Sequence, residues 1–416
     1  MSEPGEAQAA ALHALEAKLE TERAGNLTLG RGVLDGRGVR LAVIDNRFAS
    51  GAIGLAEAEK LGALLKVATL EKAPVAIFLD SAGAKVSEGL TALGAFRALY
   101  RVGLQACLAG VPLAAILGRN CYGGSSMLAH LAPQRLFSPN TQLAMSGPAI
   151  LAAGAGMSAI DEMFRAMAEA VLAPAARAKS NAANTLWSPG TDVAGWLRQA
   201  LAARGDTATA WRFRHEALGA RFEKGLPPLQ WEGVRRKDFE KMYATYEARE
   251  SHGLLAGQGR RGDADEAFIG LTGKQPLGAA RAWQFAEAVW QHVERPPGRL
   301  EVFLDCASHA PRLEDERLVL TEFITGMSFA LAALAAKGCA VGLTIVGQAG
   351  GGVYVALAAP ARRVASVYGA DIQVLPGAAV AAILGEAQGG VPSFDDYRAA
   401  GVADEEIKLG FVPGKA

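Results

Sequence analysis

Residues 75–89 read VAIFLDSAGAKVSEG, and residues 300–315 read LEVFLDCASHAPRLED. In each, an apolar run ends at Leu-Asp (Asp80, Asp305) and passes into a loop of small residues. A run without polar alternation is what a strand buried on both faces requires. Downstream, each copy shows a helical stretch, a second apolar run and a Gly-Gly pair, Gly123-Gly124 and Gly351-Gly352. From Asp80 to Gly123 is 43 residues and from Asp305 to Gly351 is 46. An Arg with a short apolar run follows in both (Arg135, Arg363), then a Pro-containing turn. Matched order at matched spacing indicates a duplicated α/β unit and not a short solenoid repeat. A site built where the two copies face each other is the expectation.

Composition sets the bounds. The 416 residues have room for two to three domains with substantial cores. Lys+Arg and Asp+Glu number 42 each, so no global field recruits nucleic acid or a membrane surface. Four cysteines (Cys107, Cys121, Cys306, Cys339) lack CxxC or metal-ligand spacing and read as reduced thiols. No metal site is expected. The first 25 residues are acidic where a signal peptide is basic then apolar, and no window reaches membrane-span length, so a cytoplasmic protein is expected.

Helical spacing of Ala9, Leu12, Leu15 and Leu19 predicts an N-terminal helix within 1–26. Residues 27–185 form the first unit, opening with two antiparallel strands over 27–48. Residues 186–265 read as a helical connector, with GLLAGQGRRGDAD (253–265) as linker. The second unit covers 266–416. The fold class is therefore α/β: two tandem units joined by a helical segment. Within 211–241 lies a basic, aromatic stretch, a solvated face or a docking site for an acidic carrier.

No GxSxG elbow, HExxH or P-loop is present, and the glycines at 350–352 lack the dinucleotide-binding order. What recurs is a small-residue loop plus Gly-Gly at a helix start. Both leave backbone N–H groups unobstructed, and the first N–H groups of a helix lack intrahelical partners. Two such donors converging on one point make an oxyanion hole. The candidates are Gly83-Ala84 with Gly123-Gly124, and Ala307-Ser308 with Gly351-Gly352. His309 is the side chain suited to deliver or orient a proton, or is a surface loop residue. Tyr122 lines the site or packs. Arg47 pairs with Asp45 or with a phosphate of a carrier arm.

Asp-Ser-Ala-Gly-Ala-Lys (80–85), Gly-Arg-Asn-Cys-Tyr-Gly-Gly (118–124) and Met-Ser-Gly-Pro (145–148) resemble signatures of the carboxyltransferase branch of the crotonase superfamily. Asp45-Asn-Arg-Phe48, followed by Gly51 and Gly54, is similar to the β subunit of biotin-independent malonate decarboxylase. The second half, with Asp305 to Ala310 and Gly347 to Gly352, is similar to its γ subunit. Ala82 departs from the family's first loop, and Ala307-Ser308 from the glycine of its second.

That resemblance implies two crotonase-like β-β-α spiral domains and no tightly bound cofactor. It implies decarboxylation of a malonyl thioester, on acyl carrier protein or CoA, through an enolate held by backbone oxyanion holes. Ser146 and the carrier-facing Arg47 become substrate-binding candidates. Acyl carrier protein, other decarboxylase subunits and a second copy of the chain become the expected partners. The alternatives are a biotin-linked acyl-CoA carboxyltransferase subunit, a hydratase or isomerase using Glu88, and a non-catalytic scaffold.

Overall fold

Each quoted stretch lies at the centre of its own sheet. The computed structural model describes residues 5–157, 160–202, 206–377, 380 and 392–408. The first sheet comprises β1 (Lys18–Ala24), β2 (Leu27–Leu34), β3 (Arg37–Ile44), β4 (Val75–Ser81), β5 (Leu113–Tyr122), β6 (Gln134–Phe137), β7 (Gln142–Ala144) and β8 (Asn184–Leu186). Its order is β1-β2-β3-β4-β5-β6-β8, with β7 beside β5. The second comprises β9 (Glu232–Gly233), β10 (Thr245–Ser251), β11 (Leu254–Arg261), β12 (Ala264–Leu271), β13 (Arg299–Cys306), β14 (Ala340–Gly350), β15 (Arg363–Val367), β16 (Asp371–Gln373) and β17 (Glu405–Ile407). Its order from β10 is β10-β11-β12-β13-β14-β15-β17, with β16 beside β14 and β9 on the outer edge. The two are the same strand plan: an antiparallel start, then parallel strands. These are two tandem α/β units built on one plan.

The duplicated Asp has a structural cause. The β4–β5 register runs regularly to Leu79↔Leu117, then slips before Ser81↔Cys121. β13 and β14 slip equally, between Leu304↔Ile345 and Cys306↔Ala349. At each slip the Asp carboxylate takes the displaced N–H: Asn120 N donates to Asp80 at 3.0 Å, and Gln348 N to Asp305 at 2.8 Å. Gly118 and Gly347 make room for these acids. A β-carbon on Gly118 would lie 2.6 Å from Asp80 Cβ, and one on Gly347 would lie 2.1 Å from Asp305 Oδ1. The bulge ends the regular pairing and turns the strand ends toward the loops that follow.

Two expectations for the connecting segments are corrected. The N-terminal helix covers only Glu6–Ala14. Glu16 adopts φ +46°, Val33 N donates to Leu15 O at 2.7 Å, and the chain continues as edge strand β1. Residues 253–265 are not a linker: they form β11 and its turn into β12, paired from Leu254↔Leu271 to Arg261↔Ala264. Two of their glycines, Gly257 and Gly259, sit against aromatic rings. A β-carbon on Gly257 would lie 2.6 Å from the Phe268 ring, and one on Gly259 2.6 Å from the Tyr243 ring. The second sheet therefore starts within the presumed connector, at Glu232. Residues 409–416 of the expected second unit lie outside the described residues.

The helix Leu320–Ala336 is buried along nearly its whole length, because it packs between the units. Trp211 of the connector helix Thr207–Gly219 stacks on its Phe329, with centroids 4.1 Å apart and planes 7° from parallel. Glu322 of the same helix is buried but accepts from Arg221 at 3.0 Å and from Asn181. These neighbours and the nearby His130 hold its carboxyl well below its ordinary pKa despite burial. Among the described residues no helix is long and apolar enough to cross a membrane.

Candidate active site

The loop after β4 and the helix Gly124–Leu131 meet where β5 ends. A β-carbon on Gly83, whose φ is +104°, would lie 2.8 Å from Tyr122 O and 3.6 Å from Gly124 N. Glycine at 83 is thus required both by backbone conformation and by close approach. Not every expected N–H group is available. Gly83 N donates to Ser81 Oγ at 3.1 Å, and Gly123 N to Ala144 O at 3.0 Å. The remaining candidates at this crossing are the N–H groups of Ala84 and Gly124.

In the second unit the loop registers one residue later than the sequence comparison pairs it. Ile53 N donates to Gly83 O, and Ile53 bridges Ala84; likewise Leu277 N donates to Ser308 O, and Leu277 bridges His309. Ser308-His309 therefore stands where Gly83-Ala84 stands, and Ala307 matches Ala82. Gly351, at φ +53°, repeats the conformation of Gly123 at +54°, so Gly352 matches Gly124. The second pair of candidate N–H groups is that of His309 and Gly352.

Both pairs face one cavity of about 430 Å³, lined by Ala84, Gly123, Gly124, His309, Gly351 and Gly352. Its inner wall is apolar: Leu93, Phe96, Met127, Met145 and Val355. That wall presses on the glycines from both sides. A β-carbon on Gly124 would lie 2.5 Å from the Phe96 ring, and one on Gly352 2.1 Å from Met145 Cε. A larger hollow of about 610 Å³ lies over β10–β12 and contains none of these residues.

His309 is buried, and each ring nitrogen faces a hydroxyl: Nε2 lies 2.8 Å from Ser146 Oγ and Nδ1 lies 3.2 Å from Ser308 Oγ. Burial pushes its pKa down to about 4, so the ring is neutral at neutral pH. Ser308 Oγ in turn lies 2.9 Å from where a β-carbon on Gly351 would be. Ser146 does not line the cavity; it holds His309 from behind. Tyr122 lines the cavity while its hydroxyl donates to Gln142 Oε1.

Arg47 lies outside the cavity lining and pairs with Asp45, its Nε donating to Oδ2 at 2.8 Å. Glu88 accepts from Leu55 N at 2.8 Å and pairs with Lys85 at 2.8 Å, the capping arrangement of a helix start. The basic 211–241 stretch turns its first arginines inward. Arg212 pairs with Glu287, Arg214 donates to His130 O, and Arg221 binds Glu322. Lys224, Arg235 and Lys237 of the same stretch are exposed. All four cysteines are buried and unpaired with one another. Among the described residues no cluster of His, Cys, Asp and Glu could hold a metal ion. The apolar wall and the buried Glu316, described below, carried no signal in the sequence.

Comparison with known proteins finds similarity chiefly in the first unit. The carboxyl transferase domain family matches residues 5–167. The acetyl-coenzyme A carboxylase carboxyl transferase subunit beta of Synechococcus sp. (strain JA-3-3Ab) is 31% identical over 137 residues, 33% of this chain and 44% of that protein. The chain thus spans less than half the length of this curated relative. Among solved structures, a transcarboxylase 12S is similar at a TM-score of 0.40 and 17% identity, covering 97% of this chain and 86% of that one. A Pseudomonas malonate decarboxylase hetero-tetramer in complex with malonate is similar at a TM-score of 0.43 and 18% identity, covering 54% and 92%. The similarity to the carboxyl transferase domain family thus lies in residues 5–167, the first unit.

Proposed function

We propose that this chain transfers a carboxyl group to or from the α-carbon of an acyl thioester, an acyl-CoA-type substrate. The observation that carries the reading is the pairing of two N–H sites, one from each unit, across a single apolar cavity. In the carboxylating direction the thioester loses its α-proton and becomes an enolate, with negative charge on the thioester oxygen. Donors fixed in place before the charge develops lower that barrier, each worth roughly 3–4 kcal/mol. Ala84 and Gly124 supply such donors without a metal or a nucleophilic side chain. The enolate carbon then bonds to the carboxyl carbon, the bond from that carbon to its carrier nitrogen breaks, and the α-proton ends on the carrier.

Biotin borne by a separate carrier would supply the carboxyl group in activated form. The second pair of N–H groups, with the Ser308 hydroxyl beside Gly351, suits a carbonyl oxygen that the thioester does not occupy. The apolar wall disfavours a bare carboxylate, which promotes transfer or loss of CO2 over retention. The match of residues 5–167 to the carboxyl transferase domain supports transfer. Decarboxylation of a malonyl thioester, on acyl carrier protein or CoA, uses the enolate half of the same chemistry and needs no second N–H site. The N–H pair that the second unit brings to the cavity favours transfer over it.

The test is incubation of the purified chain with malonyl-CoA and malonyl-carrier protein, with and without biotin. Carboxylated biotin and the decarboxylated thioester in equal amounts support carboxyl transfer. Release of CO2 without biotin supports the decarboxylase. Neither, with no thioester binding, supports a scaffold.

A further inference from the structure

Ser146 belongs to the first unit, yet both its polar groups bind the second. It is buried in the turn between β7 and the helix Pro148–Gly154. Its Oγ meets His309 Nε2, and its N–H donates to Glu316 Oε1 at 2.8 Å. Glu316 is fully buried on the short helix Leu313–Arg317. Arg177, from the first-unit helix Pro174–Ser180, closes the arrangement. Its Nη2 lies 3.3 Å from Glu316 Oε2, and its Nη1 donates to the Glu316 carbonyl. The carboxyl of one unit is therefore gripped from two sides by the other.

We infer that Glu316 is a positioning residue for the catalytic groove, acting through Ser146 on His309. Holding the Ser146 backbone fixes where its hydroxyl points. His309 Nε2 lies 2.8 Å from that hydroxyl, and in the inferred arrangement the hydroxyl donates to it. Nδ1 then carries the ring proton and donates to Ser308 Oγ. The Ser308 hydroxyl hydrogen is left free to point toward Gly351 and a ligand in the second N–H site. Without Glu316 the turn loses its anchor, and the imidazole loses its preferred tautomer. The arrangement also sets how far apart the two units hold their N–H pairs, because it crosses the seam beside the cavity. A buried pair of this kind does not by itself imply net stabilisation, and fixing a unique arrangement is the better-attested role for such pairs.

This inference rests on the cavity being the reaction site, and the test separates the two. Histidine-selective ¹⁵N NMR of the full chain, with His309 assigned from His309→Gln, reads the tautomer without reference to turnover. The expected wild-type signature is a protonated Nδ1 and an unprotonated Nε2. Glu316→Ala should convert it to a tautomer mixture, and Glu316→Gln, which keeps an acceptor for Ser146 N–H, should retain it. In carboxyl transfer, Glu316→Ala should lower kcat by up to about 100-fold, as for about 1 Å of misplacement, with KM within about twofold. Glu316→Gln should recover most of that loss. An unchanged His309 tautomer in Glu316→Ala overturns the inference. So does equal loss of turnover in the Ala and Gln variants at equal folded fraction. Should Glu316→Ala not fold, Glu316→Leu, which removes the acceptor while keeping the volume, and Ser146→Ala form a double-mutant cycle. Non-additive effects on kcat support the coupling, and additive ones overturn it. A wild type that shows the tautomer but no transfer activity rejects the proposed function and leaves the positioning role standing.

Discussion

His309 occupies in the second unit the place that Ala84 occupies in the first: each forms the lone bridge to the segment leading into its unit's first long helix, Ile53 with Ala84 and Leu277 with His309. The duplication thus placed an imidazole where its partner unit has only a methyl group. The two N–H sites are equivalent in backbone plan and unequal in side-chain chemistry. The first offers backbone donors alone; the second adds a hydroxyl and a ring.

That asymmetry predicts how His309 variants behave. The ring is neutral and both nitrogens are occupied by hydroxyls, so it orients groups and does not shuttle protons. His309→Ala should lower turnover by up to about 100-fold, the loss that about 1 Å of misplacement brings. The pH profile of wild-type kcat/KM should show no group titrating near 6.5 that disappears in the variant. Loss of such a limb in His309→Ala would restore the proton-delivery role.

Gly124 and Gly351 should separate rate from affinity. A β-carbon on Gly124 meets the Phe96 ring at 2.5 Å and would displace the N–H donor beside it. Gly124→Val should reduce kcat by about 100- to 1,000-fold, the loss typical of one oxyanion donor. Adding Phe96→Leu should recover part of it by relieving the contact. Gly351→Val, at φ +53°, should act mainly on binding of the carboxyl donor, seen as raised KM. Equal kcat losses at both positions with unchanged affinity would contradict the division.

Gly347 should be as intolerant as any core residue although it is partly exposed. An added β-carbon lies 2.1 Å from Asp305 Oδ1, the oxygen that takes Gln348 N–H at 2.8 Å. Gly347→Ala should cost about 1–3 kcal/mol, the usual loss when a hydrogen-bonded buried group is left unsatisfied. Urea denaturation measures it. A change under about 0.5 kcal/mol, the scale of ordinary surface substitutions, would mean the bulge relaxes without its Asp.

The strand plan was legible because it rests on local pattern: apolar runs, Leu-Asp ends and Gly-Gly pairs recur at matched spacing. The cavity's glycines followed from the same pattern. What escaped depends on long-range placement. Gly257 and Gly259 read as linker glycines because the rings that cover them, Phe268 and Tyr243, lie on other strands or turns. The pairing of Ser308-His309 with Gly83-Ala84 was legible by counting three and four residues from Asp305 and Asp80, and the bridges of Leu277 and Ile53 bear it out. Glu316 sits in an acidic run, Glu314-Asp315-Glu316, that reads as solvated surface; only the approach of Arg177 and Ser146 buries it.

Buried titrating groups predict the acid response of stability. His130 and His309 are both held down to about 4, each chiefly by burial, against an ordinary value near 6.5. Between pH 6.5 and 4 the unfolded chain binds a proton at each site that the folded chain does not, so stability rises with pH there. Each site costs up to about 3 kcal/mol once pH falls below 4. Glu316 works in the opposite sense. Burial raises it to about 7, so between 4.5 and 7 the folded state holds a proton that the unfolded state releases, and stability falls with pH. Two half-titrated unfolded histidines still bind more protons at about 6.5 than the folded carboxyl holds, so the balance reaches zero only near 7. Urea midpoints should therefore climb from pH 4.5 and level off near 7. In His309→Gln the remaining histidine and the carboxyl nearly cancel, so the climb should shallow by close to one proton's worth. In Glu316→Gln the climb should steepen by a similar amount. An unchanged climb in His309→Gln would mean that the ring takes up its proton while still folded, and that its burial does not hold it neutral.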